Sequence, residues 1–188
     1  MRCFIAIDID EQIRKSLSNL QNELQGKVDI RSSDVKWVSP EATHLTLKFL
    51  GEIKDEQAVE VCNIVKDVAS RHKNFDFAVE SVGHFGGRSA RVLWVGAGHG
   101  CNNLLQLQED LDEELTSAGW PGETRKFSGH LTLCRIRNPK AGIKLVQAAR
   151  EYENLKLGIV SADSVRVYQS RLTPKGPLYT ALGNYDLQ

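Results

Sequence analysis

The chain of 188 residues carries 24 Lys and Arg against 24 Asp and Glu, with 41% hydrophobic and 26% charged residues. That composition describes one folded domain, or two small lobes sharing an interface, and excludes a disordered chain. A net charge of zero excludes the broad basic field of a nucleic-acid coat or a membrane-surface binder, while leaving room for a local pocket that grips one or two phosphates.

The chain opens on Arg2-Cys3-Phe4-Ile5-Ala6-Ile7, a buried-strand pattern. Asp8 and Asp10 break it too soon for a transmembrane helix or the apolar region of a signal peptide. Ile13, Leu17, Leu20 and Leu24 follow at helical spacing, then an irregular segment, then a strand at His44-Leu45-Thr46-Leu47. A second helix is predicted over 55–71 with Val61, Val65 and Val68 inward, and a strand over Phe75 to Phe85. Arg91-Val92-Leu93-Trp94-Val95 opens a second series: a helix with Leu104, Leu107, Leu111 and Leu115 inward, then a strand at His130-Leu131-Thr132-Leu133. A weaker helix over 141–152 and strands over 155–169 and 178–187 complete it.

The order strand, helix, strand, helix, strand is thus written twice, roughly over 1–88 and 89–188, and the tetrapeptide His-Leu-Thr-Leu occurs once in each half. This predicts an α+β fold of two pseudo-symmetric lobes. Each is an antiparallel-rich sheet with helices on its outer face, strand exchange between lobes is allowed, and a cleft separates the inner faces. Each half alone is too short for a large core, so 1–188 is read as a single bilobal domain. Cys3, Cys62, Cys101 and Cys134 form no CxxC pair, which fits reduced thiols in a cytoplasmic protein better than a zinc ribbon or a disulfide framework.

Residues two apart in a strand share a face, so His44 pairs with Thr46 and His130 with Thr132, while Leu45, Leu47 and Phe49 point the other way. One His-x-Thr is ordinarily a half-exposed sheet residue. Two copies in matched positions point to chemistry, because opening a phosphodiester in line needs a base on one side of phosphorus and an acid on the other. Imidazole titrates near neutrality and can serve as either, and a Thr hydroxyl beside each can donate to a non-bridging oxygen. A metal site is the rival for two histidines, but there is no His-Glu-x-x-His and no carboxylate adjoins either motif at ligand spacing.

These tandem motifs resemble the signature of the two-histidine (2H) phosphoesterases, and most closely that of the RNA 2′,3′-cyclic phosphodiesterases, also called 2′-5′ RNA ligase-like proteins. The resemblance extends through Phe4-Ile5-Ala6-Ile7-Asp8, Trp37-Val38-Ser39-Pro40-Glu41, Leu47-Lys48-Phe49-Leu50-Gly51 and Arg91-Val92-Leu93-Trp94 to Tyr168-Gln169-Ser170 and Gly176-Pro177-Leu178-Tyr179. It implies hydrolysis of 2′,3′-cyclic phosphate RNA ends, or of small cyclic nucleotides, to 2′-phosphomonoesters, with no metal, no cofactor and no obligate protein partner, in a monomer. It also implies roles: His44 as proton donor to the departing 3′ oxygen, His130 as proton acceptor, and Thr46, Thr132 and Arg135 as substrate-binding residues. By strict alternation Arg135 falls opposite His130, and it reaches the phosphate only if the strand ends or bulges. Gly129 and Cys134 depart from the family's usual Pro and small aliphatic residue. The rival activities are 2′-5′ ligation of RNA halves and non-catalytic binding of RNA ends.

The remaining features have plainer readings. His72 sits at a helix end where a cation suits the dipole, and His99 lies in a Gly-His-Gly turn. Trp37 and Phe49 are read as core, and His84 or Phe85 as packing or base stacking at a strand end. The acidic run Glu109-Asp110 with Asp112-Glu113-Glu114 is read as a solvated helix face. Arg125, Lys126, Arg137 and Lys140 form a basic cluster that suits an RNA 3′ end or simply a solvated surface.

Overall fold

The computed structural model describes residues 1–174 and 176–188. Among these, nine strands and four α-helices follow the chain: β1 (Arg2–Ile7), α1 (Glu11–Lys27), β2 (Val35–Trp37), β3 (Leu45–Glu52), α2 (Asp55–Ala69), β4 (Phe75–Phe85), β5 (Val92–Ala97), α3 (Asn102–Ser117), β6 (His130–Ile136), α4 (Pro139–Ala149), β7 (Lys156–Ala162), β8 (Ser164–Thr173) and β9 (Gly176–Asp186). The strands make two antiparallel sheets, ordered β3-β1-β8-β9 and β2-β6-β5-β4-β7. The segment expected to be irregular before the first motif forms β2, and the stretch expected as one strand over 155–169 is β7 and β8, parted at Asp163.

Local chemistry sets the helices. Asp10 accepts the Ile13 N–H at 2.7 Å and so caps α1. Ile13, Leu17, Leu20 and Leu24 are buried on one face of α1, as are Leu104, Leu107, Leu111 and Leu115 on α3. Asn138 caps α4, with Pro139 in its first turn. α2 packs on β8 and β9, whereas α1 reaches β7 and α4 reaches β4 and β6. No helix of the described residues is long and apolar enough to cross a membrane.

Strands β3-β1-β8 match β6-β5-β4 in order: a motif strand, an opening strand, and a third strand from the other half of the chain. β4 follows the first motif yet lies in the second sheet, and β8 and β9 follow the second motif yet lie in the first. Each sheet therefore draws strands from both halves. The two motif strands, β3 and β6, come into contact between the sheets.

One buried charge fastens this arrangement. Lys48 on β3 is only 3% exposed; its ammonium pairs with Asp112 of α3 and donates to the Pro121 carbonyl at 2.8 Å. The acidic run on α3, read from the sequence as a solvated face, is so only in part: Glu109 and Glu113 are exposed, while the other three carboxylates are engaged. Asp112 takes Lys48, Asp110 takes His72 Nε2 at 2.8 Å and Glu114 takes Arg71 at 2.7 Å, so α3 is pinned to the end of α2. His72 is held by that carboxylate in addition to its place at the helix end.

Asp112→Ala leaves the Lys48 ammonium buried without its counter-charge and should cost about 3–5 kcal/mol. Lys48→Met removes the charge itself and should cost clearly less, because the methionine refills the space and Asp112 keeps some access to water. Urea unfolding of both variants tests this; equal losses would show that the buried charge is not what matters.

Candidate active site

Each motif strand bulges against its partner just past the threonine, and β3 shifts register a second time at Leu50, between Phe4 and Cys3. Between β3 and β1, Thr46 faces Ala6 and Phe49 faces Phe4, while Leu47 and Lys48 share the space opposite Ile5. Between β6 and β5, Thr132 faces Trp94 and Arg135 faces Val92, while Leu133 and Cys134 share the space opposite Leu93. These β-bulges turn two consecutive side chains into the core and reset the alternation beyond them. Arg135 thereby stands on the face of His130 and Thr132. Phe49, expected in the core, stands on the face of His44 and Thr46 and is 60% exposed.

His44 lies immediately before β3, with its ring stacked on Phe4 at 4.5 Å and met edge-on by Tyr179 at 5.2 Å. It bonds the Ala42 carbonyl, and the His130 Nδ1 lies 2.7 Å from the Ser128 carbonyl. Each imidazole is thus tied to the carbonyl two residues before it. A carbonyl only accepts, so Nδ1 of His130 carries the proton and Nε2 is left as the ring's other, proton-accepting nitrogen. Phe85 meets the His130 ring edge-on at 5.0 Å, with Trp94 6.1 Å away.

Burial among these rings dominates the titration of both histidines. It draws His44 down to about 4, against the pull of nearby Asp8 and the Ala42 carbonyl toward the charged form, with Arg14 adding to the depression. His130 is also lowered by burial, opposed by the Ser128 carbonyl and reinforced by Arg135. Asp8 is itself fixed by the Tyr168 hydroxyl at 2.9 Å and by Arg166.

The turns that present the histidines are held from behind by residues outside either motif. Arg14 of α1 donates to the carbonyls of Pro40, Glu41 and Thr43 at 2.8, 3.0 and 3.3 Å and so clamps the turn before His44. Asp112 accepts the Glu123 N–H at 3.0 Å and, with Lys48, anchors the segment leading to His130. Gln21 bridges the Val38 and Leu133 carbonyls at 2.8 and 2.9 Å. Gln21 alone left a trace in the sequence, a polar residue on the apolar face of α1 between Leu17 and Leu24. A Cβ on Gly129 would lie 2.9 Å from Leu104 and 3.1 Å from Ala97, so close packing between sheet and helix accounts for the glycine there.

Both His-Thr pairs, Arg135, Phe49 and Phe85 line one cleft of about 1400 Å³. His84 and Trp37 also reach it, whereas His72 and His99 do not line it. Of the basic cluster, Arg125 and Lys126 line the cleft and Arg137 and Lys140 do not. Among the described residues, no group of three or more His, Cys, Asp or Glu is placed to hold a metal ion. Two imidazoles with hydroxyls and a guanidinium on facing walls can move protons to and from opposite sides of one anionic group.

The chain matches the family model for the LigT like phosphoesterases twice, over residues 7–94 and 96–179. It is 33% identical to an RNA 2′,3′-cyclic phosphodiesterase of Methanothermobacter thermautotrophicus, covering 100% of this chain and 99% of the relative. It is 34% identical to one of Thermotoga maritima, covering 100% and 95%. Among solved structures, TT0787 of Thermus thermophilus superposes with a TM-score of 0.81 at 26% identity, over 100% of this chain and 98% of the other. Escherichia coli LigT complexed with 3′-AMP shares the fold, with a TM-score of 0.75 at 23% identity over 99% and 97% of the two chains.

His44 titrates far below its unfolded value of about 6.5, so the folded chain binds fewer protons than the unfolded one between that pH and about 4. The stability this confers is complete above pH 6.5 and is lost as pH falls through the folded value. His44→Gln should therefore lose less stability than the parent between pH 7 and pH 4.5 in urea unfolding; equal losses would show that His44 is not held neutral.

Proposed function

The chain belongs to the LigT-like phosphoesterase family, and from that we propose that it hydrolyses RNA 2′,3′-cyclic phosphate ends to 2′-phosphomonoesters by acid–base catalysis between His44 and His130. The observation that carries this reading is the paired architecture of the cleft. Two imidazoles, each tied to its own backbone carbonyl and each followed two residues on by a threonine, stand at the start of motif strands that bulge at the same place.

His130 takes a proton from water through Nε2, and that water attacks phosphorus in line with the 3′ oxygen. The new P–O bond forms as the P–O3′ bond breaks, and His44 gives its proton to the departing 3′ oxygen. The product holds one water more than the substrate, and the two imidazoles have exchanged protonation states, which solvent restores. Thr46, Thr132 and Arg135 donate to the non-bridging oxygens, where charge is held through the transition state. The charges nearby support this division of labour. Both rings are lowered below neutrality in the free protein, and an entering phosphodiester anion raises both. Asp8 then favours the charged form at His44, while Arg135 disfavours it at His130.

This reading needs no metal ligand and no cofactor. It includes a monomer without an obligate partner, working in the cytoplasm, where the four free thiols remain reduced.

The test is an oligoribonucleotide with a 2′,3′-cyclic phosphate, incubated in EDTA, with the product's phosphate located. A 2′-phosphomonoester is expected. Loss of turnover on chelation would overturn the metal-free mechanism, a 3′-phosphate would reverse the leaving group, and a 2′-5′-joined product would reassign the reaction to ligation. His44→Ala and His130→Ala should each lower turnover by at least about a hundredfold; a near-normal rate in either removes that residue from the mechanism.

kcat/KM reports the free enzyme, in which both imidazoles titrate low. Its bell-shaped pH profile should therefore peak on the acid side of pH 6.5. A maximum above pH 7 would contradict the depressed values.

A further inference from the structure

The pseudo-symmetry of the two sheets is broken at β2. Beside motif strand β6 the second sheet carries β2, whereas β3 is the edge of its own sheet among the described residues. β2 is three residues long and pairs Val35 with Ile136, Lys36 with Arg135 and Trp37 with Cys134. Val35 and Ile136 are buried together, so the strand is anchored by its inner face. Lys36 and Arg135 stand side by side on the opposite face, exposed, and both line the cleft.

Like charges directly opposite one another on adjacent strands repel. A minority of the chain's cations are matched, among them Lys27 by Glu151, Arg71 by Asp67 and Glu114, and Arg166 by Asp8; what sets Lys36 and Arg135 apart is that they stand opposite one another inside the cleft. Among the described residues, neither Lys36 nor Arg135 has a carboxylate within ion-pair distance. The wider cleft has the same bias. Apart from Lys48, which Asp112 neutralises, five cations line it against only Glu41 and Glu123, in a chain of zero net charge. A missing counter-charge in a cleft that faces an anionic substrate is the signature of an anion site.

The position identifies which anion. His130, Thr132, Arg135 and then Lys36 lie in that order, from the reacting centre outward and across to the sheet edge. Arg135 lies about 10 Å along the strand from Thr132 at most, and Lys36 is one strand further out. The cleft's 1400 Å³ exceeds the roughly 300–1,000 Å³ usual for a small-molecule site. We infer that Lys36, one strand outward of Arg135, holds the internucleotide phosphate on the 5′ side of the terminal nucleotide, so that the substrate is an oligonucleotide end and not a free cyclic mononucleotide. The inference rests on the phosphodiesterase reading of this cleft.

Kinetics on two substrates test it: a short single-stranded RNA ending in a 2′,3′-cyclic phosphate, and a 2′,3′-cyclic mononucleotide. Lys36→Ala should raise KM for the RNA about fivefold, the size of one exposed ion pair, and leave kcat unchanged. KM for the mononucleotide should not move, and Lys36→Arg should keep the parent behaviour. The salt dependence of log(kcat/KM) for the RNA should flatten by about 0.7, the effect of removing one cation from one phosphate. An equal change on both substrates, or none on the RNA, would overturn the subsite while leaving the reaction intact. Fluorescence anisotropy with the same RNA ending in a 2′-phosphate gives a readout independent of turnover. Weaker binding by Lys36→Ala there supports the subsite even if neither cyclic substrate is hydrolysed, and unchanged binding overturns it.

Discussion

One extra residue just past the threonine of each motif governs the rest of this structure. A strand that alternated strictly through His44-Leu45-Thr46-Leu47-Lys48-Phe49 would set Lys48 beside the histidine and bury Phe49. The bulge opposite Ile5 does the reverse. It sends Lys48 into the core, where Asp112 receives it, and delivers Phe49 to the cleft. The matching bulge opposite Leu93 buries Cys134 and brings Arg135 round to His130 and Thr132. A change of one residue in register reverses every side chain beyond it, so both the interlobe ion pair and the cationic wall of the cleft depend on these two irregularities.

Burial in the cleft favours the neutral form of both imidazoles. Phe4 and Tyr179 enclose His44, and Phe85 and Trp94 flank His130, so both rings lose solvation of their charged forms. The carbonyls of Ala42 and Ser128 hold them in orientation, and Arg14 and Asp112 hold the segments that carry those carbonyls. Both supports act from α1 and α3, the opening helices of the two halves, yet with opposite charge: a guanidinium that takes carbonyls in one, a carboxylate that takes an N–H in the other. The repeat preserves the task and changes the chemistry.

The same divergence shapes the cleft. Equivalent positions beyond the two bulges hold Phe49 in one half and Arg135 in the other, and β2 adds Lys36 beside the arginine alone. A symmetric pair of motifs supplies two imidazoles, while an aromatic wall and a cationic wall make the two sides of the cleft distinct. The chain can therefore be neutral overall and still line one cleft with an excess of positive charge.

Periodicity in the sequence determined the helices and most strands, because burial of one face leaves a regular trace: Ile13, Leu17, Leu20 and Leu24 mark a helix by their spacing alone. The duplicated His-Leu-Thr-Leu likewise named both imidazoles and both threonines, since residues two apart share a strand face whatever surrounds them. Only the tertiary structure decided the exchange of β4 with β8 and β9 between sheets, because many strand orders satisfy the same burial pattern. It also decided the two bulges, and with them the places of Phe49, Lys48 and Arg135. An extra residue in a ladder is defined by the partner strand, and Ile5 and Leu93, which define these two, lie far from them in the sequence. The clamps by Arg14, Gln21 and Asp112 were hidden for a related reason: each depends on which carbonyl or amide a distant turn presents, and that is settled only when the two halves meet.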